Sequence, residues 1–133
     1  MIELDTYTIA LIGLGGMVGA ISRYMLSSWF QNNTTGFPYG TLFINFTGAL
    51  ALSVIMYLSE YSSAVPVNAR VFLTVGLLGA YTTMSTFGFE SFRFLEHGEN
   101  LNFVVYFLAT NGLVLIGIFI GKVIAQRFSA LII

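Results

Sequence analysis

Residues 79–90 read Gly-Ala-Tyr-Thr-Thr-Met-Ser-Thr-Phe-Gly-Phe-Glu, and this stretch decides how the chain folds. It begins within an uncharged segment, residues 71–89, yet four of the five residues at positions 82–86 bear a hydroxyl group. Hydroxyl side chains, β-branched side chains and neighbouring glycines all weaken a helix. At membrane depth a weakened helix persists only where protein or a wet cavity satisfies the freed backbone groups. The stretch therefore predicts a helix that is broken near its middle and faces something polar.

The composition places the chain in a membrane. Of its 133 residues, 56% are hydrophobic and 8% are charged, with a mean hydropathy of +0.85, whereas about a quarter of the residues in soluble domains are charged. Each crossing needs about 20 apolar residues. We therefore predict a single all-α membrane domain over residues 1–133, with four transmembrane helices at about residues 8–30, 40–58, 69–95 and 103–126, and a loop at residues 31–39.

Charge and residue content argue against several classes of protein. A net charge of -1 gives no electrostatic footprint for nucleic acid, and without cysteine there are no disulfides or thiolate metal sites. The single histidine, His97, lies in a polar loop, and no catalytic constellation is apparent, so we expect no enzyme. Glu3 and Asp5 stand where a signal peptide would be positive, so the first segment is expected to be a retained helix.

Positive charges divide almost evenly between the two faces of the membrane. Four crossings put Arg70, Lys122 and Arg127 on one face and Arg93, with the deeper Arg23, on the other. Lysine and arginine near the helix ends normally fix orientation, and this distribution provides almost no bias. Our hypothesis is that the chain inserts in both orientations and pairs with an inverted copy of itself.

Small residues and one deep arginine mark the first helix. Gly15 and Gly19 are four residues apart, and such pairs let another backbone approach closely in a membrane. Arg23 is costly at this depth unless it reaches the interface or finds a partner. Snorkelling to the interface together with a structural hydrogen bond is favoured over direct contact with an ion, because buried charge is expensive.

Polar side chains recur at helical spacing in two further helices. Thr41 and Asn45 share one face of the second helix, and Tyr106 and Thr110 share one face of the fourth. Taken alone, Asn45 is equally compatible with an interhelical hydrogen bond and with a polar path, and Thr110 can simply bond within its own helix. Two such stripes together favour a shared polar track.

A carboxylate follows the uncharged part of the third segment. Glu90 and Arg93 are three residues apart, close enough on a helix to pair, and a Glu90 that faces a vestibule could be functional. Polar residues within the crossings favour a small membrane channel or transporter over a purely structural subunit. The residues alone carry the interpretation no further.

Three motifs resemble those of the Fluc-type fluoride channels, the CrcB family, and together they span much of the chain. They are Gly-x-x-Gly-Ala-x-x-Arg at residues 16–23, Gly-Thr-Leu-x-x-Asn at residues 40–45 and Gly-x-x-Thr-Thr-x-Ser-Thr-Phe at residues 79–87. The third motif is specific, whereas a glycine pattern alone is weak. The resemblance implies a passive fluoride-selective channel of the cell membrane, built as an antiparallel dual-topology homodimer, which exports fluoride and protects the cell from it.

The resemblance also implies roles for individual residues. The fluoride pore would be lined by Asn45, Thr41, Phe87, Met84, Thr110, Tyr106 and Ser85. Arg23 and Glu90 match characteristic polar positions of the vestibule or the structure. A structural Na⁺ would lie at the centre of the dimer interface, held by the backbone carbonyls of Gly79 and Thr82 from both subunits, and hard cations do prefer oxygen ligands.

One position departs from the family pattern in a way that matters for the pore. Met84 stands where the family usually has its first pore phenylalanine. A thioether has no ring quadrupole, although it is polarizable and adaptable, so we expect fluoride still to permeate with altered coordination. Gly88 and Ala80 replace a commoner serine and a commoner glycine.

Two other functions are compatible with part of this sequence. A small multidrug-type proton-coupled exporter shares four helices and dual topology, but it needs a membrane-embedded carboxylate in its first helix, and residues 6–22 contain none. An assembly or scaffold subunit would account for the packing glycines and would leave the polar stripes unexplained.

Overall fold

A computed structural model describes residues 5–34, 36–62 and 64–132 of the chain. Within these residues, four helices are long and apolar enough to cross a membrane. The first two are α1 (Thr6–Asn33) and α2 (Tyr39–Tyr61), and the fourth is α6 (Asn100–Ile132). The third crossing is interrupted and comprises α3 (Val67–Arg70), a π-helical stretch (Val71–Leu78), α4 (Gly79–Tyr81) and α5 (Met84–Glu96). The predicted all-α architecture with a broken third helix is confirmed, while Glu3 lies outside the described residues.

The first helix is longer than its sequence pattern suggests. The Asp5 carboxylate accepts the Thr8 N–H at 2.8 Å and caps the start of α1, and hydrogen bonding to Thr8 holds the pKa of Asp5 below its usual value. At the other end α1 continues to Asn33, so the prediction of a loop from residue 31 is wrong for its first three residues. The last turn is closed by side chains, because the Asn33 amide donates to the Trp29 carbonyl at 2.6 Å and the Thr34 hydroxyl donates to the Phe30 carbonyl at 2.8 Å.

The glycines of α1 pack against the third crossing of the same chain. A Cβ built on Gly15 would lie 2.5 Å from the Phe72 carbonyl oxygen, and one built on Gly19 would overlap the Leu77 carbonyl. The contact is reciprocal, because a Cβ on Gly76 would lie 2.8 Å from the Ile12 carbonyl oxygen. Backbone thus touches backbone between α1 and the π-helical stretch, as small residues allow in membranes.

The second and fourth crossings form the other close pair. Cβ atoms on Gly117 and Gly121 would lie 3.0 Å from the Phe46 carbonyl oxygen and 2.7 Å from the Leu50 carbonyl oxygen, respectively. The Ser53 hydroxyl crosses the same seam and donates to the Ile118 carbonyl at 2.6 Å. This pairing fixes α2 beside α6, and both helices also contact α5.

We predict that replacing Gly19 by alanine destabilises the protein by about 1–3 kcal/mol, because the new methyl group overpacks against backbone that cannot rotate away. The measurement is thermal unfolding of the detergent-solubilised protein. Gly13→Ala is the matched control, since a Cβ there meets nothing within 4 Å. Equal melting temperatures for the two variants would contradict the packing described for α1.

Candidate functional site

The break in the third crossing lies at Thr82 and Thr83, whose backbones are extended. The N–H and the hydroxyl of Thr82 both donate to the Leu78 carbonyl, each at 3.0 Å, and end the first half. The Thr83 hydroxyl oxygen accepts the Thr86 N–H at 3.2 Å and donates to the Thr86 hydroxyl at 2.8 Å. A threonine with this contact is an N-cap, so Thr83 determines where α5 begins.

The side chain of Asn45 in α2 gives Thr83 hydrogen bonds in place of the backbone bonds that the break removes. Its Nδ2 donates to the Thr83 carbonyl at 3.0 Å, and its Oδ1 accepts the Thr83 N–H at 2.9 Å. These two bonds fix the orientation of the amide, because the flipped amide would set donor against donor. Nδ2 carries two hydrogens, and only one is used here. Asn45 therefore stabilises the break and keeps a second N–H available as a donor.

The same rearrangement releases the carbonyl groups of Gly79 and Thr82. In a continuous helix they would accept the N–H groups of Thr83 and Thr86, four residues later. The Thr83 N–H goes instead to Asn45, and the Thr86 N–H goes to the Thr83 hydroxyl. The two carbonyls that the resemblance assigns to Na⁺ are thus the ones deprived of their helical donors.

Arg23 of α1 reaches one of these carbonyls. Its Nη1 donates to the Thr82 oxygen at 3.3 Å, in a partly buried contact that joins α1 to the break. This is a structural hydrogen bond, which is one part of what the sequence predicts for Arg23. Because a carbonyl oxygen has two lone pairs, the contact leaves Thr82 able to accept once more.

Glu90 of α5 binds the hydroxyls of the two polar stripes. Its Oε1 accepts the Thr41 hydroxyl at 3.1 Å, and its Oε2 accepts the Tyr106 hydroxyl at 2.7 Å. Among the described residues, its hydrogen bonds come from these two hydroxyls and not from Arg93, so the expected pair between Glu90 and Arg93 does not form. The carboxylate instead ties α2, α5 and α6 together, which accounts for its presence within the third crossing.

Aromatic rings enclose the contact between α5 and α6. Tyr106 is fully buried, and its ring centroid lies 5.3 Å from that of Phe87, 5.5 Å from that of Phe37 and 5.9 Å from that of Phe94. Phe87 is only 3% exposed and also meets Phe107 at 5.8 Å. A ring edge is the positive part of the aromatic quadrupole, so this cluster can offer weakly positive edges.

Two buried hydroxyl groups lack a hydrogen-bond partner within the described parts of the chain. They belong to Thr110 of α6 and Ser91 of α5. Thr110 lies one helical turn from Tyr106 on the same face of α6. Buried polar groups are nearly always satisfied, so an orphan calls for an explanation such as an ion or water.

A cleft of about 550 Å³ opens beside this cluster, at the end of the subunit where α1 leads into α2. Thr41, Glu90 and Thr86 lie along it, together with Arg93 and His97. The cleft therefore joins the polar side chains of the interior to the membrane surface, as a vestibule would.

The predicted pore residues fall into two groups in a single chain. Thr41, Asn45, Phe87, Tyr106 and Thr110 are buried between α2, α5 and α6. Met84 is 75% exposed, and Ser85 is exposed as well, with its hydroxyl 3.5 Å from that of Thr83. One chain therefore does not bring these last two residues to the buried group.

Sequence reasoning gave Thr83 no role of its own and did not single out Ser91. Thr83 had a visible signal, because Thr83 and Thr86 have the spacing at which an N-cap side chain meets the third residue of its helix. Ser91 also had one, since it lies four residues after Phe87 and shares its face. The link between the Thr47 and Tyr81 hydroxyls, 2.9 Å apart, had no such signal because these residues belong to different crossings.

Four apolar crossings, a broken third helix and buried polar side chains at the break define a small polytopic membrane protein of the channel or transporter class. The profile of the family described as CrcB-like protein, Camphor Resistance (CrcB), matches residues 10–122. This chain belongs to that family and is a multi-pass protein of the cell membrane.

Curated relatives cover most of the chain. Fluoride-specific ion channel FluC 1 of Methanosarcina acetivorans is 45% identical over 93% of this chain and 95% of its own length. FluC 3 of Methanosarcina barkeri is 43% identical over 93% and 94%, respectively. FluC of Aquifex aeolicus is 39% identical over 86% and 94%. These relatives are named as ion channels, so the family is one of transport proteins rather than enzymes, and the alternative of a multidrug-type exporter finds no support.

We predict that Asn45→Leu destabilises the protein, because a side chain of similar size leaves the Thr83 N–H and carbonyl unpaired, at about 1–3 kcal/mol for each buried group. Thermal unfolding in detergent and hydrogen exchange around residue 83 measure the effect. Asn111→Leu is the control, since that amide donates only to the Phe107 carbonyl of its own helix on an exposed surface. A parental melting temperature for Asn45→Leu would show that the amide does not hold the break.

Proposed function

We propose that this chain is a fluoride-selective channel that passively exports fluoride across the cell membrane and so protects the cell. The proposal is supported by membership of the CrcB family and by relatives named as fluoride-specific ion channels. The observation that carries it is the set of buried donors and ring edges at the break. The spare N–H of Asn45 and the unpaired hydroxyl of Thr110 accompany Phe87 between α2, α5 and α6.

Fluoride is small and strongly hydrated, so a selective pore must replace its water with closely spaced donors. The spare N–H of Asn45 and the Thr110 hydroxyl supply such donors, and Phe87 offers its ring edge. The first N–H groups of α5 add the partial positive charge of a helix N-terminus.

Glu90 holds this arrangement rather than serving as a ligand for fluoride. As an acceptor it orients the hydroxyls of Thr41 and Tyr106, which arrive from two different helices. These two hydrogen bonds stabilise the carboxylate where it lies. In this proposal Thr41 and Tyr106 line the inner end of the vestibule.

We further propose that two copies assemble as an antiparallel homodimer. The exposed side of the break carries Ser85, Thr86 and the backbone of Gly79, and irregular polar backbone does not face lipid at membrane depth. A second copy placed there would cover these groups and would bring the exposed Met84 of one chain towards its partner. The balanced positive charges of the two faces permit the inverted orientation that this requires.

A structural Na⁺ at the dimer centre fits the carbonyl groups that the break releases. Gly79 and Thr82 both lack their helical donors, and Gly79 is exposed and has no side chain to obstruct access. Two carbonyl oxygens from each copy would give a closed set of four hard ligands. The cation would hold the two breaks together and would not be transported.

The function is tested by ion efflux from proteoliposomes. We expect fluoride to leave without a proton gradient while chloride is retained, as a fluoride electrode and a chloride electrode would record. Met84→Phe is expected to preserve fluoride efflux, because it restores a ring edge at an exposed position. Phe87→Leu keeps an apolar side chain but loses the ring, so it is expected to lower efflux.

The outcomes separate the parts of this proposal. Efflux that requires a proton gradient would indicate an exporter, and no efflux of either ion would indicate a scaffold. A dead Met84→Phe channel beside an active parent would show that the placement of Met84 at the pore is wrong.

The assembly is tested by topology and by dependence on Na⁺. A reporter fused to the C-terminus is expected on both sides of the membrane, and the solubilised dimer is expected to dissociate more readily when Na⁺ is replaced by a large organic cation. A reporter found on one side only would refute the antiparallel arrangement. Identical dissociation in the two salts would refute the structural cation.

A further inference from the structure

Ser91 of α5 is a buried polar residue that the proposed pathway leaves without a role. It is 6% exposed, and its hydroxyl has no hydrogen-bond partner among the described residues. The only other such buried side-chain oxygen in the described ranges belongs to Thr110, which already has a place in the proposed pore. Both unpartnered hydroxyls thus lie on the helix pair that encloses Tyr106.

Ser91 lies on the face of α5 that packs against α6. Phe87, four residues earlier, and Phe94, three residues later, both place their rings within 6 Å of the Tyr106 ring centroid. Residues at these spacings share one face of a helix, so Ser91 lies between the two rings at the level of Tyr106. The carboxylate of the neighbouring Glu90 accepts a hydrogen bond from the hydroxyl of that same tyrosine at 2.7 Å.

A serine within a helix commonly satisfies itself on its own backbone. Elsewhere in this chain the hydroxyls of Thr47, Ser59 and Thr74 each donate to the carbonyl four residues earlier, at 2.8 Å. Ser91 does not make this bond. Its hydrogen is therefore free, and an unpaired buried hydroxyl reduces stability unless a ligand or water uses it.

We propose that Ser91 donates its hydroxyl hydrogen to fluoride on the side of the Phe87–Tyr106 contact that faces the vestibule, with Thr110 as the next donor beyond it. Thr110 is one turn after Tyr106 on α6, and Phe87 is one turn before Ser91 on α5. The hydroxyls of Ser91 and Thr110 therefore lie on either side of the contact between the two rings. A small dehydrated anion passing the rings would then exchange one hydroxyl donor for another. The inference rests on the proposed pathway.

The test compares Ser91→Ala and Ser91→Cys with the parent in the fluoride efflux assay. Alanine removes the donor, and cysteine replaces it with a much weaker one of similar size. We expect fluoride efflux to fall at least tenfold in both variants, with melting temperatures equal to or above that of the parent. Alanine should relieve the unpaired polar group, so a serine without a role in permeation would give higher stability with unchanged efflux.

Ser129→Ala is the matched control, because that buried hydroxyl donates to the Gln126 carbonyl of its own helix at 3.0 Å. Its efflux is expected to equal that of the parent. Parental efflux from either Ser91 variant would overturn the inference, and so would a failure of both to assemble, since the hydroxyl would then be structural. If Thr110→Ala lowers efflux while Ser91→Ala does not, the pathway stands without Ser91, whereas a parent that passes no fluoride refutes the proposed function itself.

Discussion

The paired hydrogen bonds between Asn45 and Thr83 are the interaction on which the rest of this structure depends. A helix can be interrupted inside a membrane only if other groups replace the lost backbone bonds, and the Asn45 side chain presents one acceptor and one donor to a single residue. Because Asn45 belongs to α2, which packs along α6, the break is held in place relative to both helices. The break thus weakens the third crossing locally, while the bonds to Asn45 fix its position relative to α2 and α6.

The break also leaves unpaired backbone groups of opposite polarity on its two sides. The first half of the crossing ends with carbonyls that have lost their donors, and the second half begins with N–H groups that a helix leaves unpaired. The negative end of one helix dipole and the positive end of another thus meet at Thr82 and Thr83. The guanidinium of Arg23 lies on the carbonyl side, at 3.3 Å from the Thr82 oxygen.

Much of the fold followed from local sequence. Uncharged length gave the number of crossings, and the clustered hydroxyls at positions 82–86 gave the position of the break. The π-helical stretch (Val71–Leu78) was not predicted, since it accompanies a contact with Gly15 and Gly19 that joins residues about sixty positions apart. The end of α1 was misplaced because asparagine and threonine commonly form loops, whereas the side chains of Asn33 and Thr34 close the last turn.

The site was predictable to a different degree. Helical spacing alone grouped Thr41 with Asn45, and Tyr106 with Thr110, but it did not reveal which groups each residue would bind. Glu90 illustrates the limit, because its nearest charged neighbour in sequence, Arg93, is not its partner, and the hydroxyls it binds come from α2 and α6. Such partners depend on three helices meeting at one depth, which one-dimensional spacing does not encode.

The partners of the two charged residues nearest the break keep its carbonyl side and its donor side separate. Arg23 and Glu90 do not pair with each other, and each is satisfied by neutral groups: a backbone carbonyl for Arg23 and two hydroxyls for Glu90. An ion pair between Arg23 and Glu90 would have joined the side of the break that carries the free carbonyls to the side that carries the donors. It would also have closed the space between these two sides. Neutral partners leave the released carbonyls and the unpaired donors separate, as the proposed interface and the proposed pathway both require.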